Sequence, residues 1–154
     1  MSTFTSQHRS FLEDTFKNRV SFRKIERKLY SHDIAAIPSL VKPIIGNTIP
    51  HAVVQPQSEQ ELVDLVIWAV KNNIPLTPRG KGSSGYGGIL PAQKGIVVDL
   101  YHMNKILEVN KDEQTVTVEA GVVWEKLDKN LAKHGLTLTQ VYHYSELTSM
   151  QTTS

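Results

Sequence analysis

A glycine-rich segment from Pro78 to Gly88, PRGKGSSGYGG, contains the residues whose types and spacing best suit ligand binding. It holds five of the nine glycines of the chain. Glycine adopts positive φ angles at no steric cost and has no Cβ, so several main-chain N–H groups can converge on one anion. Ser83 and Ser84 add hydroxyl donors, and Arg79 and Lys81 add positive charge. The segment favours a phosphate or diphosphate site, although glycine content alone leaves a flexible surface loop equally open.

Two familiar phosphate-binding loops do not fit this segment. Gly80, Gly82 and Gly85 satisfy the pattern G-x-G-x-x-G, but a Rossmann loop must open directly into a helix whose N-terminus faces the diphosphate. Here the apolar run Gly95–Leu100 follows, which predicts a central strand. A Walker A loop is excluded because Lys81 is followed by glycine rather than by a Ser or Thr that would bind magnesium. What remains is a strand, a glycine-rich turn and another strand, in which main-chain amides hold the anion.

The residues before the loop predict the elements that position it. Ala52–Gln55 predicts a short strand, and Ser58 begins a helix with Glu61 three residues later, as in a capping box. That helix ends at Asn72, and its many apolar residues predict burial over much of its circumference. Ile74–Thr77 then predicts the strand that leads into the loop.

The residues after the central strand predict a hairpin and a last helix. Alternating apolar and polar residues indicate two strands, Lys105–Asn110 and Thr115–Ala120, joined by a tight turn. Trp124, Leu127 and Leu131 line one face of a helix that Gly135 terminates.

The chain divides into three parts by pattern. Residues 1–49 predict an amino-terminal extension, with helical apolar stripes up to Tyr30 and then an irregular, proline-containing segment. Residues 50–138 predict the organised domain. Residues 139–154 contain neither glycine nor proline and show no clear periodicity, which predicts an atypical, frayed tail.

Composition narrows the function classes. With 154 residues, 40% apolar and 21% charged, the chain is typical of a globular domain. A net charge of +2, without a basic run interleaved with aromatics, does not favour nucleic-acid binding. The absence of cysteine excludes disulfides, thiolate zinc sites and iron–sulfur ligands within this chain. No apolar stretch approaches the roughly 20 residues of a membrane span, so a cytoplasmic location is expected.

Residues Pro50 to Leu138 resemble the FAD-binding domain of the vanillyl-alcohol oxidase and p-cresol methylhydroxylase (PCMH) flavoproteins, particularly the glycolate oxidase subunit and D-lactate dehydrogenase branch. Three stretches carry the likeness in the same order: PHAVVQPQSEQELVDLV, IPLTPRGKGSSGYGG, and GIVVDLYHMNKILEVN followed by VTVEAGVVWEKLDKNLAKHGL. The loop pattern of that family is R-G-x-G-T/S-S followed by a further glycine. It is matched here by Arg79, Gly80, Gly82, Ser83, Ser84 and Gly87.

The resemblance implies an α/β (α+β) fold: a small mixed sheet flanked by helices, forming the first lobe of a PCMH-type FAD-binding domain. It implies that the FAD diphosphate is bound by Pro78, Arg79, Gly80, Lys81, Gly82, Ser83, Ser84 and Gly87. Arg79 has an equally weighted alternative role, in which it pins the loop by bonding to nearby carbonyl oxygens. Family members that attach FAD covalently through this loop have a histidine at the position of Gly82, so the resemblance implies non-covalent binding.

The resemblance also implies a reaction. In the complete family a 2-hydroxy acid such as glycolate or D-lactate transfers a hydride to the flavin, and electrons pass on, often to an iron–sulfur partner. The T-I/V-G-G signature of the second lobe is absent after Leu138, so we expect a chain shortened before that lobe by truncation or by a shifted reading frame. The missing carboxy-terminal part or another subunit would complete the domain. No catalytic or metal-binding residue is identified. Tyr101, His102 and Lys105 favour packing or surface roles. The alternative is a catalytically silent fragment that acts at most as a weak nucleotide-binding or interaction module.

Overall fold

The computed structural model describes residues 4–32, 46–83 and 87–138. The predicted site residue Ser84, most of the irregular segment and the tail at 139–154 lie outside the described residues. The predicted boundaries at residues 50 and 138 therefore stay predictions.

Helices and strands alternate along most of the described chain. In order they are α1 (Ser6–Phe16), β1 (Val20–Ser21), α2 (Lys24–Leu29), β2 (Ala52–Val54), α3 (Glu59–Lys71), β3 (Leu76–Arg79), β4 (Ile96–Asp99), β5 (Ile106–Asn110), β6 (Thr115–Val118) and α4 (Trp124–Ala132). The predicted strands on both sides of the glycine loop, the hairpin and the two later helices are confirmed.

A four-stranded mixed sheet forms the centre of the fold, in the order β1-β2-β4-β3. Strands β2, β4 and β3 run parallel, whereas β1 pairs antiparallel with β2. All four residues of β4 are buried, which confirms the predicted central strand. Helix α3 connects β2 to β3, which run parallel to each other on the two sides of β4. The connection from β3 to β4 runs through residues 80–95, whose described part contains no helix.

The hydrophobic core lies between this sheet and helices α1 and α3. Its fully buried members include Leu12, Phe16, Ala52, Val54, Leu65, Ala69, Ile96 and Val98. The amino-terminal segment thus contributes both an edge strand and two core side chains to the same sheet. The predicted helical pattern up to Tyr30 is interrupted, because Val20 pairs with Val54 at the sheet edge and this tertiary pairing outweighs local helical periodicity.

Helix α3 begins as predicted, with one difference in its cap. The Ser58 hydroxyl accepts a hydrogen bond from the Glu61 N–H at 3.2 Å. The Glu61 carboxylate accepts from the Gln57 N–H at 2.9 Å and from the Arg19 guanidinium, so it bonds one residue earlier than a capping box would. This ion pair joins α3 to the segment that precedes β1.

The prediction that α3 is buried over much of its circumference is wrong. Leu65 and Ala69 face the sheet and are buried. Four apolar side chains at helical spacing on the other faces remain between 42% and 70% exposed: Val63, Val66, Ile67 and Val70. The described residues cover only the side of the helix that packs on the sheet. None of the helices in the described ranges is both long and apolar enough to cross a lipid bilayer.

Candidate functional site

The glycine turn leaves the sheet at the carboxyl ends of its parallel strands. Arg79 ends β3 and lies opposite Asp99, which ends β4. The Arg79 carbonyl oxygen accepts a hydrogen bond from the Leu100 N–H at 2.9 Å, so the two strand ends are joined where the turn begins. Gln55, directly after β2, lies at the same edge. Ligands of open α/β sheets bind at this edge.

The described part of the turn presents main-chain donors and open space. A Cβ atom built on Gly80 or on Gly88 meets no other atom within 4 Å. The main-chain N–H groups of Gly80, Gly82 and Ser83 donate no hydrogen bond to any other described residue. Lys81 and Ser83 are exposed. The described part of the turn therefore contains main-chain N–H groups without a described acceptor, together with an exposed hydroxyl and an exposed ammonium group.

Arg79 lies beneath this turn. Its guanidinium donates a hydrogen bond to the His32 carbonyl oxygen at 2.9 Å, and its Cζ lies 5.0 Å from the centroid of the Tyr30 ring. On the other side, a Cβ built on Gly82 would lie 2.5 Å from the Arg79 Nη2 atom. The guanidinium thus fills the space between the tyrosine ring and the turn. This geometry favours the loop-pinning role of Arg79 over a direct phosphate contact, and the assignment stays a prediction.

A buried carboxylate joins the strand ends to α2. The Asp99 Oδ2 atom accepts hydrogen bonds from the Tyr30 hydroxyl and from the Gln55 amide, each at 2.7 Å. The Tyr101 N–H donates to Oδ1 at 3.1 Å. Burial, followed by the hydrogen bond to Asp99, raises the pKa of Tyr30 to about 12. The phenol therefore stays a neutral donor, as the buried carboxylate requires.

Sequence reasoning did not identify Tyr30 or Gln55 as part of the site. Gln55 carried a usable signal, because a polar residue directly after a buried parallel strand lies at the ligand-binding edge. Tyr30 carried none, since it is 69 residues from its Asp99 partner and belongs to a separate helix.

The structure brings most of the predicted site residues into one turn. Pro78 lies exposed in β3, and Arg79 through Ser83 follow without interruption. Gly87 has a φ of +78° and lies on the return path toward β4.

The residues after β4 contact neighbouring side chains, and their predicted packing or surface roles stay predictions. The His102 ring packs edge-on against the Tyr101 ring, with centroids 5.2 Å apart. The Lys105 ammonium lies 3.8 Å from a Glu119 carboxylate oxygen. The Lys81 ammonium lies 4.9 Å from the centroid of the Tyr101 ring. Across the ranges that the structure describes, no three His, Asp or Glu side chains come together as a metal site.

The chemistry available at this edge is anion binding. The donors are main-chain amides, one exposed hydroxyl and one ammonium group, while the carboxylate is buried and already accepts three hydrogen bonds. Two adjacent phosphate groups fit a row of amides of this kind better than a single carboxylate does, because they present more acceptor oxygens.

Comparison with known proteins agrees with this chemistry. A family model described as an FAD binding domain matches residues 50–149. The glycolate oxidase subunit GlcD of Bacillus subtilis is 31% identical over 110 residues, which cover 71% of this chain and 22% of that protein. The structure of an alkyldihydroxyacetonephosphate synthase superposes with a TM-score of 0.75 at 27% identity, over 90% of this chain and 29% of the other.

A further structural match concerns the fold alone. p-Cresol methylhydroxylase with substrate bound superposes with a TM-score of 0.69 at 20% identity, over 86% of this chain and 26% of that enzyme. The likeness confirms the mixed α/β architecture. The chain thus spans about a quarter of the length of the proteins that it matches.

Proposed function

The chain belongs to the FAD-binding domain family of the vanillyl-alcohol oxidase and p-cresol methylhydroxylase flavoproteins, and we propose that its glycine turn holds the diphosphate of a non-covalently bound FAD. Members of this family are FAD-dependent oxidoreductases and dehydrogenases. The bound flavin supplies hydride-accepting chemistry, while the protein binds and orients it. The task proposed for this chain is that binding and orientation.

One observation carries the proposal: the glycine turn lies at the carboxyl ends of the parallel strands of the mixed sheet, and the N–H groups of Gly80, Gly82 and Ser83 have no described acceptor. The N–H groups of Gly80, Gly82 and Ser83 supply hydrogen bonds to diphosphate oxygens, and the Ser83 hydroxyl adds another. Lys81 adds a positive charge, which interacts with phosphate as a point charge. Hydrogen bonds to an ionised acceptor are roughly twice as strong as neutral ones.

Two features of Gly82 support non-covalent attachment. Glycine has no side chain that could bond to the flavin. The space that a side chain would enter is filled by the Arg79 guanidinium, 2.5 Å from the Cβ position. A larger residue at this position would have to displace Arg79 from its place between the turn and the Tyr30 ring.

The substrate of the complete protein is proposed to be a 2-hydroxy acid of the glycolate or D-lactate type. The name of the Bacillus subtilis relative, a glycolate oxidase subunit, supports this choice. We assign no catalytic residue in this chain. The proposal further includes a second lobe, supplied by a carboxy-terminal continuation or by another subunit. It also includes an iron–sulfur electron-transfer partner and a cytoplasmic location.

A second candidate function is an interaction module without catalytic activity. The exposed apolar side chains of α3 favour it, namely Val63, Val66, Ile67 and Val70. Contiguous exposed apolar side chains often mark a surface that binds another molecule. The two candidates differ in one respect that can be measured directly, which is the affinity of the isolated chain for FAD.

The test is a titration of the purified chain with FAD, followed by flavin fluorescence, with circular dichroism to show that the chain is folded. We expect saturable binding of FAD, binding of riboflavin that is weaker by about tenfold or more, and competition by pyrophosphate. Riboflavin is the control because it keeps the ring system and lacks the diphosphate and the adenosine, and competition by pyrophosphate identifies the contribution of the diphosphate. A folded chain that is indifferent to FAD, or that binds both ligands equally, contradicts the proposed site.

A further inference from the structure

We propose that Tyr30, at the end of α2, is a positioning residue of the diphosphate site: its ring holds the Arg79 guanidinium beneath the glycine turn. This inference rests on the proposed function, because it gives a role in the diphosphate site to a residue whose described contacts are with the Arg79 and Asp99 side chains. It assigns part of the site to the amino-terminal segment, which precedes the residues matched by the family model.

The first step of the argument is the confinement of Arg79. Its guanidinium has the Tyr30 ring on one side, at 5.0 Å from the centroid, and the Gly82 backbone on the other. The His32 carbonyl oxygen accepts a hydrogen bond from its Nη1 atom. A planar cation held between an aromatic face and a peptide backbone supports that backbone from below.

The second step is the confinement of Tyr30 itself. Its hydroxyl donates to Asp99 at 2.7 Å, and the same carboxylate oxygen accepts from Gln55 at 2.7 Å. The ring therefore cannot move away from Arg79 without breaking a partly buried hydrogen bond to Asp99 at the end of the central strand. Through these contacts α2 is joined to the ends of β2, β3 and β4.

The third step concerns the turn. Gly82 has a φ of +70°, and the Arg79 side chain supplies all three of the nearest atoms around its Cβ position. The described contacts on the lower side of the turn at this residue therefore come from Arg79. If the tyrosine ring is removed, the guanidinium can swing out to solvent, and the turn loses the support that keeps its N–H groups on the open side.

Two substitutions of Tyr30 distinguish the contribution of its ring from that of its hydroxyl. Tyr30→Leu removes both, and we expect FAD affinity to fall about tenfold while riboflavin affinity is unchanged. Tyr30→Phe keeps the ring over Arg79, and we expect a fall of no more than about threefold. Should Tyr30→Leu fail to fold, Tyr30→Met, which keeps more side-chain volume, replaces it.

The matched control is Phe22→Leu. Phe22 carries the Arg9 guanidinium at 4.5 Å from its ring centroid, a contact of the same type away from the glycine turn. We expect this variant to lose stability while keeping the native affinity for FAD. If it loses affinity as Tyr30→Leu does, the effect is general destabilisation and the inference fails.

A readout without ligand tests the positioning step by itself. In proton–nitrogen NMR spectra of the free chain, Tyr30→Leu should shift the Arg79 Nε–H signal and the Gly80 and Gly82 amide signals, whereas Phe22→Leu should leave them in place. A double substitution with Arg79→Lys should lower FAD affinity no further than Arg79→Lys alone, because both changes remove the same support.

The outcomes are distinct. Unchanged NMR signals in Tyr30→Leu overturn the inference, as do equal losses of FAD and riboflavin affinity or additive effects in the double variant. A native chain that is folded and binds no FAD overturns the proposed function, and the diphosphate role of Tyr30 with it.

Discussion

Two groups of glycines in this chain differ in what surrounds them. A Cβ built on Gly95 would lie 2.0 Å from the Pro75 carbonyl oxygen, and one built on Gly121 would lie 1.8 Å from the Leu100 carbonyl oxygen. In the glycine turn, a Cβ on Gly80 or on Gly88 would meet nothing within 4 Å. The first group is required by the packing of the chain against itself, whereas no described contact requires the second.

The difference indicates what the turn is for. A glycine whose missing side chain leaves open space allows close approach from outside the chain, and a bound diphosphate would use that space. Gly82 lies between the two groups, because the three nearest described atoms around its Cβ position belong to the flexible Arg79 side chain. The contrast predicts opposite effects of the same substitution on folding and on binding.

The largest effect is expected at Gly95. Gly95→Ala places a methyl group against the Pro75 carbonyl oxygen, which accepts a hydrogen bond from the Ile96 N–H at 2.8 Å. Gly95 also has a φ of +55°, which a residue with a side chain rarely adopts. Overpacking against a backbone group and the left-handed conformation together should lower the free energy of unfolding by about 3 kcal/mol or more. Urea denaturation measures the change.

Gly88→Ala is the matched control for that measurement. It adds the same methyl group where no atom lies within 4 Å. Its free energy of unfolding should stay within about 0.5 kcal/mol of the native value. If both variants lose the same stability, the distinction between the two groups of glycines is wrong.

The next effect concerns binding at Gly80. Gly80→Val fills the space where the turn is open, so we expect stability within about 1 kcal/mol of native and a loss of FAD affinity of roughly tenfold to a hundredfold. Ala120→Val places the same isopropyl side chain at an exposed turn after β6 and should leave FAD affinity unchanged. Native affinity in Gly80→Val, measured by flavin fluorescence, contradicts the role of the turn.

Gly82→Ala should have an intermediate effect on stability. Its φ of +70° carries a conformational cost of about 1 kcal/mol, and its methyl group must displace the Arg79 guanidinium. In an Arg79→Ala background only the conformational cost remains, so the substitution should be less harmful there. Urea denaturation of the four variants gives the coupling energy, and a coupling of zero argues against the contact between Arg79 and the turn.

The sequence was sufficient to predict the elements that depend on a local pattern of residues. The apolar run before Leu100 predicted the central strand, and the glycine run predicted the turn, since both signals lie within a few consecutive residues. Ser58 predicted the start of α3 through its hydroxyl.

Long-range contacts account for what the sequence did not reveal. Tyr30 reaches the site only because β1 pairs with β2 and brings α2 to the strand ends. The exposed stripe of α3 was expected to be buried because periodicity shows that a face is apolar without showing what covers it. The open space above Gly80 is likewise a property of the folded chain that composition does not encode.

The smallest expected effect is a pH dependence of the free energy of unfolding, which arises from Tyr30 beneath the glycine turn. Tyr30 has a pKa of about 12 in the folded chain against an ordinary value of 10.0. Because the folded-state pKa is the higher one, this group's stabilising contribution is complete below pH 10 and is lost as the pH rises toward 12. Since the ring is only half-buried, that contribution is about 1 kcal/mol.

Urea denaturation of the native and Tyr30→Phe chains from pH 8 to pH 12 measures the difference in their free energies of unfolding. This difference isolates the contribution of the Tyr30 hydroxyl, because the other groups that titrate in alkali contribute equally to both chains. That difference should shrink above roughly pH 10. Ionisation of Tyr30 repels Asp99 but attracts the Arg79 guanidinium, whose charge favours the phenolate, so the stability costs of Gly82→Ala and Gly95→Ala should both stay constant over the same range. A parallel decline at both positions would mean that alkali weakens the whole sheet, and that the support beneath the turn is not separable from the packing of the core.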